Sequence, residues 1–296
     1  MNWEVQTMPS KTSFCNGTEF RKCLSRWWPL WIIYGVILFI LLPGVLLNAR
    51  TTTPYMTTPY VSTEQIGYLS NVILSETQML LPLTAFCAGL LAAAAMFGYL
   101  YTPRGAGLAA SLPIRRGCMF RTHLLAGLLM LLSAEVVVFG LAVLIEATRF
   151  ELVIEPLLIW LGILALETVV FYGIAVLCAM FTGHVVMLPC LYLLVNFIAV
   201  GFQLLVETVL YTFVYGMSGM VDLPVDWLSP LVLFMRRTSV GHADLVRPIS
   251  GTGAEVAIAN FSGWTYPLVW AAFALLLLVC AGQLYRRRRM ESRSEE

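Results

Sequence analysis

Charge is scarce in this 296-residue chain: Asp, Glu, Lys and Arg together make up 12% of it, against 59% hydrophobic residues. Soluble domains carry roughly a quarter charged and half apolar residues, so composition excludes a water-exposed globular fold. The groupings that catalysis needs are also missing. No G-x-x-x-x-G-K-[ST] loop is present to cradle phosphates; Gly251 and Gly253 are followed by neither lysine nor serine at the required spacing. The three histidines, His123, His184 and His242, are scattered, with no H-E-x-x-H pair on one helix face. A G-x-S-x-G elbow is absent as well. The sequence therefore yields no catalytic constellation, no metal-ligand set and no cofactor site.

What the chain has is apolar length. Six stretches of about 20 residues carry few charges, which is what a helix needs to cross roughly 30 Å of hydrocarbon at 1.5 Å per residue. They lie at about 29–47, 79–100, 123–146, 156–179, 185–206 and 266–285. This predicts an all-α integral membrane protein, one transmembrane domain over 1–296 with six transmembrane helices. The fifth is expected to run past Val206, since apolar character continues through Tyr215. Within 1–28, Phe20, Leu24 and Trp27 recur at i, i+4 and i+7 while Arg21, Lys22 and Arg26 take the other face. That spacing predicts an amphipathic helix lying in the interface before the first span, with a plain basic tail as the other reading. Trp27, Trp28 and Trp31 mark the headgroup level. The region before the first span is long for a signal peptide and Leu47-Asn48-Ala49 is a poor cleavage site, so an uncleaved anchor is expected.

Orientation follows from the eighteen Lys and Arg residues. Thirteen lie in the first tail (Lys11, Arg21, Lys22, Arg26), in 101–122 (Arg104, Arg115, Arg116, Arg121) and in 286–296 (Arg286 to Arg289, Arg293). The opposite side holds five: Arg50, Arg149, Arg236, Arg237 and Arg247. The positive-inside rule then places both termini in the cytosol. The Thr- and Pro-rich stretch after the first span and the long segment 207–265 fall outside. Within the latter, Trp227 to Met235 is apolar but too short to cross, leaving a re-entrant or interfacial helix and a packed outer cap equally open. Seven cysteines suggest a disulfide framework only at first sight. Cys15, Cys23 and Cys118 fall in cytosolic segments and Cys87, Cys178, Cys190 and Cys280 in spans, so disulfides are not expected. No repeat of the duplicated-half kind is visible.

Inside the spans, two acids stand out. Glu135 and Glu167 lie near the middle of the third and fourth spans, each about as far from the intervening turn, so an antiparallel hairpin sets them at similar depth. An ionised carboxylate there costs at least about 2.5 kcal/mol, so at least one is expected to be protonated or both to face a polar cavity. They serve either a substrate or proton path or, the preferred reading, as hydrogen-bonding glue between helices. Asn196, Gln203 and Glu207 in the fifth span are weaker members of the same class.

Residues 101–122 form the most informative stretch, with arginines interleaved among Leu108, Leu112, Ile114, Met119 and Phe120. Together with the Phe20 to Trp28 run leading to Trp28-Pro29-Leu30-Trp31, with Met96-Phe97-Gly98-Tyr99-Leu100-Tyr101 and with Ser111-Leu112-Pro113-Ile114-Arg115-Arg116, this chain resembles the membrane subunit of ABC-type exporters of the type-2 permease class. The six-span pattern with a large outer segment before the last span covers nearly the whole chain, although the local motifs are short. The resemblance implies an elbow helix at Phe20, Leu24, Trp27 and Trp28, and a cytosolic coupling element at Arg104 to Arg121. There Leu108, Leu112 and Pro113 would meet a separate ATPase chain, and Arg104, Arg115, Arg116 and Arg121 its acidic groups. It further implies a second permease subunit, identical or not, ATP and Mg in the partner ATPase, and a multi-pass place in a bacterial cytoplasmic membrane. No nucleic acid is expected as partner. The competing expectations are an ion- or proton-coupled carrier using Glu135 and Glu167, and a non-transporting sensor or scaffold. For the arginines alone, topology setting and contact with anionic lipid is the plainer account.

Overall fold

The computed structural model describes residues 16–48, 63–111, 114–149, 154–214, 224–241, 246–248, 255–257 and 260–287. Nine α-helices are described: α1 Gly17–Leu41, α2 Pro43–Asn48, α3 Thr63–Phe97, α4 Pro103–Ser111, α5 Arg116–Arg149, α6 Ile154–Phe181, α7 Met187–Phe213, α8 Pro230–Arg237 and α9 Thr265–Arg287. Two 3₁₀ turns, Gly98–Tyr101 and Pro224–Leu228, join them. Six segments, beginning in α1, α3, α5, α6, α7 and α9, are long and apolar enough to cross a membrane. Among the described residues, strand is confined to three-residue pieces in two antiparallel pairs: β1 Ser239–Gly241 with β4 Asn260–Ser262, and β2 Val246–Pro248 with β3 Glu255–Ala257. The remaining described elements are helices, as an all-α membrane protein requires. The six described cysteines are free.

Where the helices break, proline and the caps account for it. Asn16 accepts from Thr18 N–H through its side chain at 3.1 Å and so starts α1. Its own N–H donates to Thr122 Oγ1 at 3.1 Å, which ties this end to α5. Pro29 lies inside α1, and Trp27 just before it has the non-helical torsions φ −107° and ψ 16°. A proline removes one ladder hydrogen bond and collides with the preceding turn, so the helix kinks there. The packed face ahead of the kink is Phe20, Cys23 and Trp27. Leu24, expected on that face, is 37% exposed, and Cys23 takes its place.

At the centre is α6, all but a few of whose residues are buried or half-buried. Its most extensive contact is with α3, followed by α9. Gly89 explains the closeness to α3: a Cβ there would lie 2.8 Å from the Tyr172 backbone nitrogen and 2.9 Å from the Phe171 carbonyl carbon. Ala85 and Ala93 flank Gly89 at four-residue spacing and are fully buried, so α3 turns its small-residue stripe onto α6. The other main pair is α1 with α5; α1 barely meets α3. The apolar stretch Trp227 to Met235 is packed against the bundle through its second half, while Trp227 and Leu228 are exposed. Leu231, Leu233 and Phe234 of α8 are buried, and the Phe234 ring meets Phe171 edge-on at 5.8 Å, about 15 Å of helix rise from Phe181.

Candidate functional site

The segment 101–122 proves mostly helical. Tyr101 closes a 3₁₀ turn, α4 follows, and α5 already begins at Arg116, so Arg116 and Arg121 stand on the helix of the third span. Leu112 and Pro113 lie outside the described residues. α4 is seated on the turn by close backbone approach. The Ala106 N–H donates to the Thr102 carbonyl at 2.9 Å, and a Cβ on Gly105 would fall 2.6 Å from Thr102 Oγ1 and 2.8 Å from the Tyr99 carbonyl oxygen. Only glycine fits that seat without a shift. The far side of α4 is open: Arg104 and Ser111 are exposed and Leu108 is 70% exposed.

The turn beneath α4 is fixed to three other helices. Tyr99 and Tyr285 of α9 share a hydrogen bond of 2.9 Å between hydroxyls. Tyr101 OH lies 3.0 Å from Thr182 Oγ1 and donates to the Ala179 carbonyl at 3.3 Å, both at the end of α6. On α5, Phe120 packs its ring 5.7 Å from Phe97 and 5.4 Å from Tyr285, and His123 lies 4.9 Å from the Tyr99 ring. His123 Nδ1 donates to the Met119 carbonyl at 2.9 Å, so the imidazole is committed to its own helix. An aromatic plate therefore joins α4 to the ends of α3, α5, α6 and α9.

Arginines gather beside this plate. Arg115 and Arg116 are exposed at the start of α5, and Arg121 Nε donates to the Gly117 carbonyl at 3.0 Å. Arg286 of α9 crosses Gly117 so closely that a Cβ there would lie 3.1 Å from its Nε. The first turn of α5 carries no acid. A helix N-terminus bears roughly half a positive charge, so cations there add to the macrodipole and an anionic surface is the complementary neighbour.

The second cluster lies within the bundle. Glu135 on α5 and Glu167 on α6 are both fully buried. Glu135 Oε1 accepts from Tyr34 OH of α1 at 3.0 Å and from Thr168 Oγ1 of α6 at 2.6 Å. Trp31 Nε1 adds a further α1–α5 bond to Ser133 Oγ at 3.0 Å. The Thr168 bond sets Glu135 level with the residue after Glu167, as the hairpin argument expects. Glu135 Oε2 and both Glu167 oxygens have no partner among the described residues. Asn196 and Gln203 do not join this cluster. Asn196 Nδ2 donates to the Tyr192 carbonyl at 2.9 Å and Gln203 Nε2 to Glu207 Oε1 at 2.7 Å, both within α7. The described residues contain no group of three or more His, Cys, Asp and Glu placed to hold a metal.

The sequence reading named Tyr99 and Tyr101 only within a motif and did not reach Tyr34, Thr168, Thr182, Tyr285 or Gly105. Of these only Tyr285, directly ahead of Arg286 to Arg289, had a signal: an aromatic at the edge of a span. Fold and clusters together define a six-span helical membrane protein with a small helix seated on one end. No protein-family model matches the chain, and no curated protein matches it.

Proposed function

We propose that this chain is the permease subunit of an ATP-driven exporter of the type-2 class, with α4 receiving motion from a separate ATPase. The observation that carries this is the seat of α4. Its outer face offers Leu108 and Arg104 to a partner, while its inner face is locked through Gly105, Tyr99 and Tyr101 to the ends of four long helices. An element that served only to connect two spans would need no such lock. The arginines at the start of α5 supply the complement to acidic groups on the ATPase, which would hold ATP and Mg. In this reading both termini and α4 face the cytosol, the segment before the Trp27 kink is the interfacial elbow, and the membrane is the cell's cytoplasmic membrane. A second permease subunit, the same or different, completes the translocation path.

The test is affinity purification in mild detergent from the native cell. A nucleotide-binding subunit should copurify and be lost on Arg115→Glu with Arg116→Glu while the permease stays folded; absence of any ATPase under gentle conditions overturns the reading. The buried Glu135–Thr168 bond keeps a second reading in play, a carrier driven by an ion or proton gradient. That reading requires transport that follows the gradient with no ATPase present.

A further inference from the structure

A lateral groove runs between α1 and α3, and we propose that it holds one acyl chain of a bilayer phospholipid. The proposal is independent of how the chain is energised. The groove exists because α3 commits its small-residue face to α6, as Gly89 against the Phe171–Tyr172 backbone shows, and so leans away from α1. Both helices rest on α5, whose Leu131 forms the floor, and between them remains a cavity of about 230 Å³. For comparison, a void of about 150 Å³ lined by apolar side chains stays dry and takes up a hydrocarbon.

The chemistry of the walls selects the occupant. Tyr34 and Thr84 are the only hydroxyl-bearing side chains in the lining, and both are engaged. Tyr34 OH donates to Glu135, and Thr84 Oγ1 donates to the Leu81 carbonyl at 2.9 Å. No hydroxyl donor remains for a headgroup, a peptide backbone or water, and the free Cys87 thiol is only a weak donor, so the ligand is hydrocarbon. The mouth is formed by Ile33, Ile37 and Leu91, all exposed, and it is continuous with the outward apolar faces of two candidate spans. A helix with its side chains is about 10–12 Å wide and does not enter such a cleft, whereas a single chain does. The occupant also rests against Tyr34 and so braces the ring whose hydroxyl is bonded to Glu135.

The full chain, reconstituted in phosphatidylcholine vesicles doped with a phosphatidylcholine bearing a diazirine within one acyl chain, tests this by photolabelling and peptide mapping. Adducts per exposed residue should be several-fold denser at the groove mouth than on the outer face of α7 around Ile198 and Phe202. Ala88→Phe, which fills the groove, should abolish that excess and leave α7 labelling unchanged. Equal density on the two faces of the wild-type chain overturns the proposal, without reliance on any variant. So does a specific Cys87–Cys87 cross-link between two chains under mild oxidation, which would place a second copy over the mouth.

Discussion

Adding one methyl group to α4 tests whether its seat matters. In Gly105→Ala the new Cβ meets the Tyr99 carbonyl oxygen at 2.8 Å and Thr102 Oγ1 at 2.6 Å, about 0.7 Å or more inside the ~3.5 Å at which heavy atoms pack best. Thr102 can turn its hydroxyl away, but the Tyr99 carbonyl is backbone and cannot. Gly107 on the same helix has nothing within 4 Å of its would-be Cβ, so Gly107→Ala changes helix propensity alone. Both variants gain about 1 kcal/mol of propensity from Gly to Ala. Only Gly105→Ala also meets the overpacking cost of about 1–3 kcal/mol. The difference between the pair is thus about 1–3 kcal/mol, or about 5–150-fold in the equilibrium for α4 leaving its seat. Amide hydrogen exchange over residues 103–111 should accelerate by that factor in Gly105→Ala relative to Gly107→Ala. If α4 couples to an ATPase as proposed, stimulation of that ATPase should fall in the first variant and persist in the second. Equal exchange in the two variants would refute the seat, and faster exchange with full ATPase stimulation would separate the seat from coupling.

Other substitutions probe the bundle by thermal unfolding in detergent, where 1 kcal/mol moves the midpoint by about 2–4 °C for a domain approaching this size. Gly127→Ala drives a methyl into the Tyr172 ring and Met96 and should cost about 1–3 kcal/mol; Tyr172→Phe, which removes the hydroxyl in the way, should restore part of it. Glu167→Met deletes a buried carboxyl without a partner among the described residues and should raise the midpoint, whereas Tyr34→Phe takes a donor from Glu135, should cost about 1–3 kcal/mol and should lower the midpoint. A fall in Glu167→Met would show that the carboxyl is held by something other than packing. Unchanged transport in both Glu135→Gln and Glu167→Gln would leave the two acids as helix-joining groups. In the Tyr99→Phe and Tyr285→Phe cycle the coupling energy should be about 0.5–1.5 kcal/mol, and a value near zero would remove that hydroxyl bond as a link between the turn and α9.

Span number was legible because crossing hydrocarbon demands a composition that no other role tolerates, and the interval from Pro156 to Phe181 could hardly be read otherwise. The edges were less so. Arginine at the end of an apolar run marks the edge of the hydrocarbon, yet Arg116 and Arg121 belong to α5: a helix does not stop at the headgroup region, and arginine is a good helix former. The level of Glu135 with Glu167 could be deduced from the tight turn between their spans, since an antiparallel pair fixes depth by counting residues. Their partners could not. Tyr34 reaches Glu135 from a helix 101 positions away, and one tyrosine among twelve carries no mark of that contact. Gly105 was illegible for the opposite reason: Gly105 and Gly107 look alike in sequence, and only the position of the Tyr99 carbonyl distinguishes them.

The packing also fixes how a load on α4 would spread. α3, α6 and α9 are joined by the most extensive contacts among the described helices, with Gly89 on the α6 backbone and Gly173 on Ala274, where a Cβ would come within 3.2 Å. Such interlocked helices move as a body, because tightly packed interiors transmit strain. α1 is held mainly by α5, and α5 meets α6 through the Glu135–Thr168 bond and through the Tyr172 hydroxyl, which donates to the Leu124 carbonyl at 3.2 Å beside Gly127. A displacement at the aromatic plate therefore reaches α6 and α9 directly through Tyr101 and Tyr285, and reaches α1 mainly by way of α5. The seam between the two bodies has the buried acids on one side and the α1–α3 groove on the other. A change in the angle between the bodies must widen or narrow that groove. If an ATPase partners the chain as proposed, groove labelling measured with and without its cycling would register the motion that α4 is proposed to receive; labelling indifferent to the nucleotide would show that α1 and α3 keep their spacing whatever α4 does.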